Sequence, residues 1–290
     1  MKEPLFSILI ANFNNGPYLK DAINSVLSQT YKNWEIVIVD DASTDNSKDI
    51  YNEYSSNNKI RIYYNLQNKG CTYTKWRCLE YAKGDICGFL DADDVILPNT
   101  ISIMVNEHLN DENISIISSR YYICDENLNI KSESGYLVIP NNHNYFTNMK
   151  YAPWPFISFK LLKYKQTKGI NKYNKVGDDQ ELCLLLEEVG KWKILNEITY
   201  KYRQRKESYS HTNENLCNYW NLIVYHETCV RRGLNPNNYS YNTFLDFLNN
   251  YALEKIYKFQ EESKVYKLGA FFVKPYYIIK RFLHYIFYKY

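Results

Sequence analysis

The chain has 290 residues, with 45% hydrophobic residues, 23% charged residues and a formal net charge of +3. This length suits one large domain, or one domain with an appendage, and leaves ample chain for a buried core. The nearly balanced charge gives no indication of a nucleic-acid partner. No uncharged apolar run approaches the roughly 20 residues that span a bilayer, which argues against a transmembrane protein.

The seven cysteines include no Cys-x-x-Cys pair. The first residues, Met1 to Ser7, run directly into an apolar strand and lack the hydrophobic core of a signal peptide. Together these features predict a reducing, cytoplasmic setting in which any contact with a membrane is peripheral.

The first half of the chain alternates between short apolar runs and amphipathic segments. The pattern predicts strands at 5–11, 34–39, 60–64 and 86–90, and helices at about 18–27, 47–54 and 72–82. Strands that alternate with helices in this way indicate a parallel sheet with crossover helices. In such sheets ligands bind beyond the carboxyl ends of the strands.

Polar residues follow three of these four strands. They are Asn12 and Asn14, Asp40 and Asp41, and Asp91, Asp93 and Asp94. Carboxylates at close quarters raise one another's pKa, and a divalent cation removes that conflict. Oxygen ligands suit Mg²⁺ or Mn²⁺, with substrate phosphates completing the coordination. The alternatives are that the last cluster caps the helix after Pro98, and that residues 40–45 form only an Asx turn.

Within residues 40–45 two roles are predicted. Asp45 and Ser47 are more typical of helix caps. Asp41 is favoured as a ligand contact, because acidic residues after the second strand bind ribose or base in dinucleotide sites.

Five stretches in order resemble the family 2 glycosyltransferases of GT-A fold. They are Ser-Ile-Leu-Ile-Ala-Asn-Phe-Asn at 7–14, Ser-Val-Leu-Ser-Gln-Thr-Tyr at 25–31, Glu-Ile-Val-Ile-Val-Asp-Asp-Ala-Ser-Thr-Asp at 35–45, Asn-Lys-Gly at 68–70 and Phe-Leu-Asp-Ala-Asp-Asp at 89–94. The resemblance covers residues 5 to about 105 almost without gaps.

The resemblance implies a nucleotide-sugar site. Asp41 would contact the base of the donor, Asp91 would lie near its ribose or sugar, and Asp93 would bind a metal on the diphosphate. The other donor-binding positions that it implies are Ala11, Asn14, Gly70 and Lys75. Lys75 stands where the family often has Arg, so a positive charge is kept without the planar fork.

Two later motifs supply the rest of the predicted site. The segment Val176-Gly-Asp-Asp begins an amphipathic helix at a place where the family usually has Glu-Asp. The resemblance therefore makes Asp179 the base that deprotonates the acceptor. Asp178, which replaces the Glu, is expected to cap the N-terminus of the helix. Tyr200 to Ser210 resembles a family loop in which Arg205 replaces a His. Arg cannot ligate a metal but can neutralise phosphate oxygens; the alternative is a solvated basic turn.

The region between the motifs is less informative. Strands are predicted at 114–119 and 135–139. Trp154 and nearby tyrosines could stack on an acceptor sugar or could equally belong to the core.

The chain from 213 onward reads as helical. Residues 263–290 contain six Lys or Arg and no acidic residue, interleaved with aromatic and aliphatic side chains. That composition is typical of an interfacial helix on anionic lipid. The alternative is a terminal helix that packs on the domain or on a partner subunit.

The predicted fold is α/β: a GT-A, Rossmann-like, mixed but mostly parallel sheet flanked by helices. The predicted domains are a transferase domain at 1–212, divided into a nucleotide-sugar half (1–110) and an acceptor half (111–212), and a C-terminal helical extension at 213–290.

The predicted activity is an inverting, metal-dependent sugar transfer from a nucleotide-sugar donor, UDP-linked by preference, to a glycan or lipid-linked acceptor in cell-surface polysaccharide or lipooligosaccharide synthesis. The cofactor would be Mn²⁺ or Mg²⁺, and the protein would lie on the inner face of the cytoplasmic membrane. The alternatives are a sugar nucleotidyltransferase, disfavoured because no Gly-rich basic loop follows the first strand, and an inactive nucleotide- or glycan-binding module.

Overall fold

The computed structural model describes residues 3–135, 155–205 and 214–235. The strands are β1 (Phe6–Asn12), β2 (Trp34–Asp40), β3 (Ile60–Tyr64), β4 (Ile86–Phe89), β5 (Val95–Ile96), β6 (Ile114–Cys124), β7 (Ile130–Glu133), β8 (Ile157–Lys160) and β9 (Lys191–Arg203). The helices are α1 (Gly16–Leu27), α2 (Ser47–Glu53), α3 (Cys71–Tyr81), α4 (Thr100–Asn110), α5 (Leu161–Tyr164), α6 (Asp178–Glu187) and α7 (Glu214–Arg231).

The strands form one mixed sheet in the order β3-β2-β1-β4-β8-β6-β9-β5, and β7 pairs with β6 off this path. The first four strands are all parallel, and β6 also pairs in parallel with β9. Strand β8 is antiparallel to both of its neighbours and joins the two parallel parts. The predicted α/β class with a mostly parallel sheet flanked by helices is therefore confirmed.

The core lies on both faces of β1 and β2. Every residue of β2 is buried, as expected for a parallel strand that is covered on each side. The apolar stripe of α1 contributes Leu19, Ala22, Ile23 and Val26, none of which is exposed to solvent. Each large side chain buried in this way contributes roughly 1.5–3 kcal/mol to folding. The carboxyl end of the sheet is thus attached to a rigid support.

The predicted strands and helices up to residue 90 are all present, with ends that differ by one or two residues. The expectation of a loop from Tyr200 is wrong for its first four residues. Tyr200–Arg203 form the end of β9 and pair with β6, and both Tyr200 and Arg203 are buried in this basic segment. The predicted strand at 135–139 falls almost entirely outside the described residues, and Trp154 and the segment 263–290 lie wholly outside them.

Helix α7 packs on α6. Arg232, just beyond the end of α7, donates to the carbonyl oxygen of Leu184 at 2.8 Å, and Arg231 forms an ion pair with Glu188 at 2.8 Å. The first compact unit of the chain extends to Gly233. The domain boundary predicted after residue 212 stays a prediction. In the part of the chain that the structure describes, no helix is long and apolar enough to cross a membrane.

Candidate active site

The carboxyl ends of β1 and β2 lie side by side, because Asn12 pairs with Asp40 in the parallel ladder. Asp40 is buried and accepts hydrogen bonds from Tyr51 Oη at 2.7 Å, Ser43 N at 2.8 Å and Asn12 Nδ2 at 3.2 Å. These bonds close the turn after β2 with Asp40 as its anchor. The Asx turn expected within residues 40–45 is made by Asp45, whose Oδ1 accepts from Ser47 N at 3.0 Å, and it leaves Asp41 available for another contact.

Asp41 holds the loop that leads into α3. Its carboxylate accepts hydrogen bonds from Asn65 Nδ2 at 2.6 Å and from the backbone N–H groups of Lys69 and Gly70, both at 2.8 Å. Gly70 has φ +93°, a left-handed conformation that glycine adopts without strain. Asp41, the residue predicted to contact the base, thus holds in place the loop of Lys69 and Gly70, which is predicted to shape the nucleotide pocket. That base contact stays a prediction.

The loop after β1 is joined to the loop after β2. Asn14 has φ 54°, its side-chain oxygen accepts from Thr44 N at 2.8 Å, and its own N–H donates to Ser43 Oγ at 3.0 Å. Asp45 accepts from the backbone N–H of Gly16 and of Ser47, the first residues of α1 and α2. The N-cap of α2 is Asn46, so neither Asp45 nor Ser47 occupies the cap position expected for them. Ala11, the last residue before Asn12, is partly exposed at this rim.

Asp91 and Asp93 follow β4 at the same end of the sheet. Burial raises the pKa of Asp91 to about 7; Lys75 acts in the opposite direction, but the charges of Asp179 and Asp93 add to the rise. The side chain of Asp93 is 19% exposed and forms an ion pair with Arg205. The residue predicted for the sugar, Asp91, therefore interacts electrostatically with both Asp93 and the predicted base Asp179.

Asp94 has hydrogen-bond partners of its own, although the charges of Asp93 and Asp91 add to the rise that burial causes in its pKa. Its carboxylate is buried and accepts hydrogen bonds from Tyr200 Oη at 2.7 Å and from Arg203 N at 2.6 Å. The expectation of three carboxylates around one cation is wrong for Asp94. Residues 91–94 form a turn in which Asp94 N donates to the carbonyl oxygen of Asp91 at 3.1 Å, and the hydrogen bonds from Tyr200 and Arg203 direct the Asp94 carboxylate to the end of β9.

The start of α6 brings Asp178 and Asp179 to the N-terminal turn of α3. Lys75 Nζ lies 2.8 Å from Asp178 Oδ2 and 2.7 Å from Asp179 Oδ1, and Thr72 Oγ1 donates to Asp178 Oδ1 at 2.9 Å. Asp178 does not cap α6, which corrects the capping role expected for it. The N-cap is Gly177, with φ +89°, and it makes no side-chain hydrogen bond.

The pKa values in this group follow from those contacts. Burial alone would lower the pKa of Lys75, but the adjacent carboxylates raise it well above its ordinary value. Burial alone would raise the pKa of Asp178, but Lys75 and Thr72 outweigh that effect and lower it. The pKa of Asp179 is raised because its carboxylate lies deep among protein atoms beside Asp178, although half of its side-chain surface is open to solvent. Lys75 opposes that rise.

Arg203 is a structural residue that the sequence analysis did not single out. Its guanidinium group donates to the carbonyl oxygens of Asp93 and Glu126 and forms an ion pair with Asp21 at 2.8 Å. Arg203 and Arg205 both lie over the ring of Tyr18, at 4.7 Å and 4.9 Å from its centroid. β9 ends at Arg203 and Arg205 follows two residues later; this spacing of two, typical of side chains on one face of an extended chain, was the signal that could have linked them.

The residues present fit a divalent cation that is held partly by substrate. The charged groups of the site are the carboxylates of Asp91, Asp93, Asp178 and Asp179 and the cations of Lys75 and Arg205. Two negative charges are unbalanced if all six are ionised. Among the described residues, no three His, Cys, Asp or Glu side chains are placed to hold a metal together. The protein would therefore supply one or two oxygen ligands and phosphate oxygens the rest, as is usual for Mg²⁺.

A family model described as glycosyl transferase family 2 matches residues 7–172, more than half of the chain. The chain belongs to this family. The hyaluronan synthase of Pasteurella multocida is 28% identical over 273 residues, which cover 92% of the chain. The chain spans only 27% of the length of that synthase.

Two solved structures share the fold of this family 2 chain. TarS of Staphylococcus aureus, in complex with UDP-GlcNAc, aligns with a TM-score of 0.65 at 17% identity over 89% of this chain and 76% of that one. A mannosyltransferase of Pyrobaculum calidifontis, in complex with GDP-Man and Mn²⁺, aligns with a TM-score of 0.58 at 14% identity over 80% and 65%. At these identities the likeness supports the GT-A fold alone.

Proposed function

We propose that this protein is an inverting glycosyltransferase that moves a sugar from a nucleotide-diphosphate donor to a hydroxyl group of a glycan or a lipid-linked saccharide. The observation that carries the proposal is the ion pair of Asp179 at the start of α6 with Lys75, whose ammonium group also acts on Asp91 after β4, at the carboxyl end of a parallel sheet. Membership of glycosyl transferase family 2 supports the reaction class. A UDP-linked donor is favoured by the ligand in TarS.

In this proposal each residue has a separate task. The loops held by Asp41 and Asn14, together with Ala11 and Gly70, receive the nucleotide. Asp91 lies near the donor ribose or sugar, and Arg205 donates to the diphosphate oxygens in the manner of charged phosphate clamps. Asp93 would bind Mn²⁺ or Mg²⁺, which when bound would offset charge on the leaving diphosphate.

Asp179 acts as the general base. It takes the proton from the acceptor hydroxyl while that oxygen forms a bond to the anomeric carbon of the donor sugar. The bond from this carbon to the diphosphate oxygen breaks, and its electron pair leaves with the nucleoside diphosphate. Attack from the face opposite the leaving group inverts the configuration of the anomeric carbon.

The place of the reaction would be the inner face of the cytoplasmic membrane, where cell-surface polysaccharide or lipooligosaccharide is assembled. The basic and aromatic composition of residues 263–290 supports contact with anionic lipid. The curated relative named above is a polysaccharide synthase, which agrees with a glycan acceptor.

The first test is release of nucleoside diphosphate from a panel of UDP- and GDP-sugars, with Mn²⁺, with Mg²⁺ and with a chelator. Wild type should hydrolyse one donor slowly, and Asp93→Asn or the chelator should abolish release. Asp49→Asn is the matched control, because Asp49 is an exposed carboxylate on α2. It should behave as wild type.

Asp179→Asn tests the base. Loss of general-base catalysis typically costs about 10²–10⁴-fold in rate, so transfer to an acceptor should fall by that factor while calorimetry shows unchanged donor binding. An NMR measurement of the anomeric configuration of the product tests inversion. Release of pyrophosphate from a nucleoside triphosphate would instead identify a nucleotidyltransferase, and donor binding without turnover in the presence of acceptors would identify a binding module.

A further inference from the structure

Lys75 has an unusual position for a lysine, since its side chain is only 7% exposed and its ammonium group contacts two carboxylates. The two partners differ in their surroundings. Asp178 is equally buried and its other oxygen is held by Thr72, whereas the side chain of Asp179 is 51% exposed. One side of the ammonium group is therefore anchored in the protein, and the other side meets a carboxylate that is open to solvent.

The position of the ammonium group is fixed by two helices. Thr72 and Lys75 are three residues apart on α3 and so lie on one face of that helix. Asp178 and Asp179 are the first two residues of α6, whose N-cap is Gly177. The long side chain of Lys75 is thus held at its tip by α6 and at its base by α3. Little conformational entropy remains to be lost when substrate binds.

The charges around Asp179 come from three elements. Cys71 and Lys75 face it from α3, Asp178 and Cys183 from α6, and Asp91 from the segment after β4. Burial raises the pKa of Asp179, and the charge of Asp178 acts in the same direction. The ammonium group of Lys75, 2.7 Å from Asp179 Oδ1, lowers the pKa of Asp179.

We propose that Lys75 is a positioning residue for the sugar-transfer step: anchored by Asp178 and Thr72, its ammonium group holds one oxygen of Asp179 in place and keeps this carboxylate deprotonated. This inference rests on the role of Asp179 as the base. A base must be ionised before it can accept the proton of the acceptor hydroxyl. Without Lys75 the two carboxylates would repel each other, and the pKa of the more exposed one would rise further.

Replacing Lys75 and replacing Asp178, the two neighbours of Asp179, should shift the pH profile of kcat in opposite directions. Lys75→Gln removes the positive charge, so the acidic limb of the pH profile of kcat should move to higher pH by about one unit or more. Asp178→Asn removes a negative charge and leaves Lys75 to pair with Asp179 alone, so the same limb should move to lower pH. Lys75→Arg keeps the charge and should leave the limb near its wild-type position. Lys20→Gln is the control, because Lys20 forms a half-exposed ion pair on α1.

The measurement combines kinetics with a titration that does not depend on turnover. The protein is labelled with ¹³C at the Asp carboxyl carbons, and the Asp179 signal is assigned from its absence in Asp179→Asn. The pKa of Asp179 is then read from NMR titrations of wild type, Lys75→Gln and Asp178→Asn without metal. The pH profile of kcat and the affinity for donor, from calorimetry, are measured on the same proteins.

The inference is supported if the pKa of Asp179 rises in Lys75→Gln and falls in Asp178→Asn, both by NMR and in the pH profile of kcat. Donor affinity should stay within twofold of wild type. An unchanged pKa of Asp179, together with a kcat that is reduced equally at every pH, would overturn it, since Lys75 would then have only a structural role. A large loss of donor affinity in Lys75→Gln would also overturn it and would make Lys75 a donor contact. If the NMR shifts occur but wild type transfers no sugar, the proposed function fails while the electrostatic role of Lys75 stands. Should Lys75→Gln not fold, Asp178→Asn and Lys75→Arg still decide the question.

Discussion

In each of the pairs Asp93/Asp94 and Asp178/Asp179, one aspartate has a structural role and the other faces the candidate active site. Asp94 and Asp178 are buried and hold neighbouring segments in place. Asp93 and Asp179 retain partly open side chains. The division arises because adjacent side chains, in the turn after β4 or at the start of α6, leave the backbone in different directions. A cluster of carboxylates in the sequence is therefore not a cluster of equivalent ligands.

At the same scale, His108 should make the stability of the protein depend on pH. Its ring is buried on α4, with Nε2 3.0 Å from Ser158 Oγ, and burial lowers its pKa from 6.5 to about 3. The unfolded chain binds the proton at a higher pH than the folded chain does. Stability is therefore complete above pH 6.5 and is lost as the pH falls from 6.5 towards 3, by roughly 2 kcal/mol at pH 5.

The prediction is checked by urea unfolding of wild type and His108→Gln at pH 7.5 and at pH 5. The variant keeps a side-chain amide near Ser158 but carries no titratable group, so its free energy of unfolding should change less between the two pH values. Because both proteins share all other titrating groups, the difference isolates His108. Equal losses of stability in the two proteins would contradict the assignment.

At the scale of secondary-structure elements, the end of β9 is attached to the rest of the site by Arg203. The residue bridges the segment after β4, the turn after β6 and helix α1, through Asp93, Glu126 and Asp21. It also lies against Tyr18, whose hydroxyl donates to Glu126 at 2.5 Å. The position of Arg205, two residues further along the chain, depends on this attachment.

Arg203→Met should therefore lower the free energy of unfolding by about 2–4 kcal/mol, because it leaves two partly buried carbonyl oxygens without a donor. Lys20→Met removes an ion pair whose side chains are about half exposed, and it should change stability little. Chemical denaturation of both variants beside wild type measures the contrast. Similar stabilities for the two variants would show that Arg203 does not join these elements.

At the scale of the whole molecule, the charge of the chain is distributed unevenly. The six basic residues of 263–290 exceed the total net charge of +3, so the remainder of the chain is net negative. A protein of this kind should bind an anionic surface through one end only. Each basic residue near an anionic membrane contributes about 1 kcal/mol, and salt screens the attraction.

We expect the full chain to sediment with vesicles of 30% phosphatidylglycerol in phosphatidylcholine at low salt, and to be released in 0.5 M NaCl. The triple variant Lys274→Gln, Lys280→Gln, Arg281→Gln should bind roughly 100-fold more weakly. A triple variant of exposed lysines elsewhere, Lys20→Gln, Lys48→Gln, Lys131→Gln, should bind as wild type. If both triple variants bind the vesicles equally more weakly, the attraction depends on overall charge and not on residues 263–290. If wild type does not bind, membrane contact is refuted.

The sequence alone determined the parallel part of the fold and the place of the site. Strands β1 to β4 and helices α1 to α3 follow from local periodicity, which depends on residues only a few positions apart. Because parallel strands bring their carboxyl ends together, the residues after β1, β2 and β4 could be assigned to one rim. The motifs in order then indicated the family, which the match over residues 7–172 bears out.

Only the tertiary structure decided which side chains meet. Lys75 and Asp179 are 104 positions apart, and Arg203 reaches Asp21 across 182 positions. The antiparallel strand β8, which joins the two parallel parts of the sheet, is equally invisible to a local pattern. Periodicity reports which face of an element is apolar, but not which distant charge lies opposite. The roles of Asp94 and Asp178 as anchors, and the ion pairs of Lys75 with Asp178 and Asp179, depend on those long-range contacts.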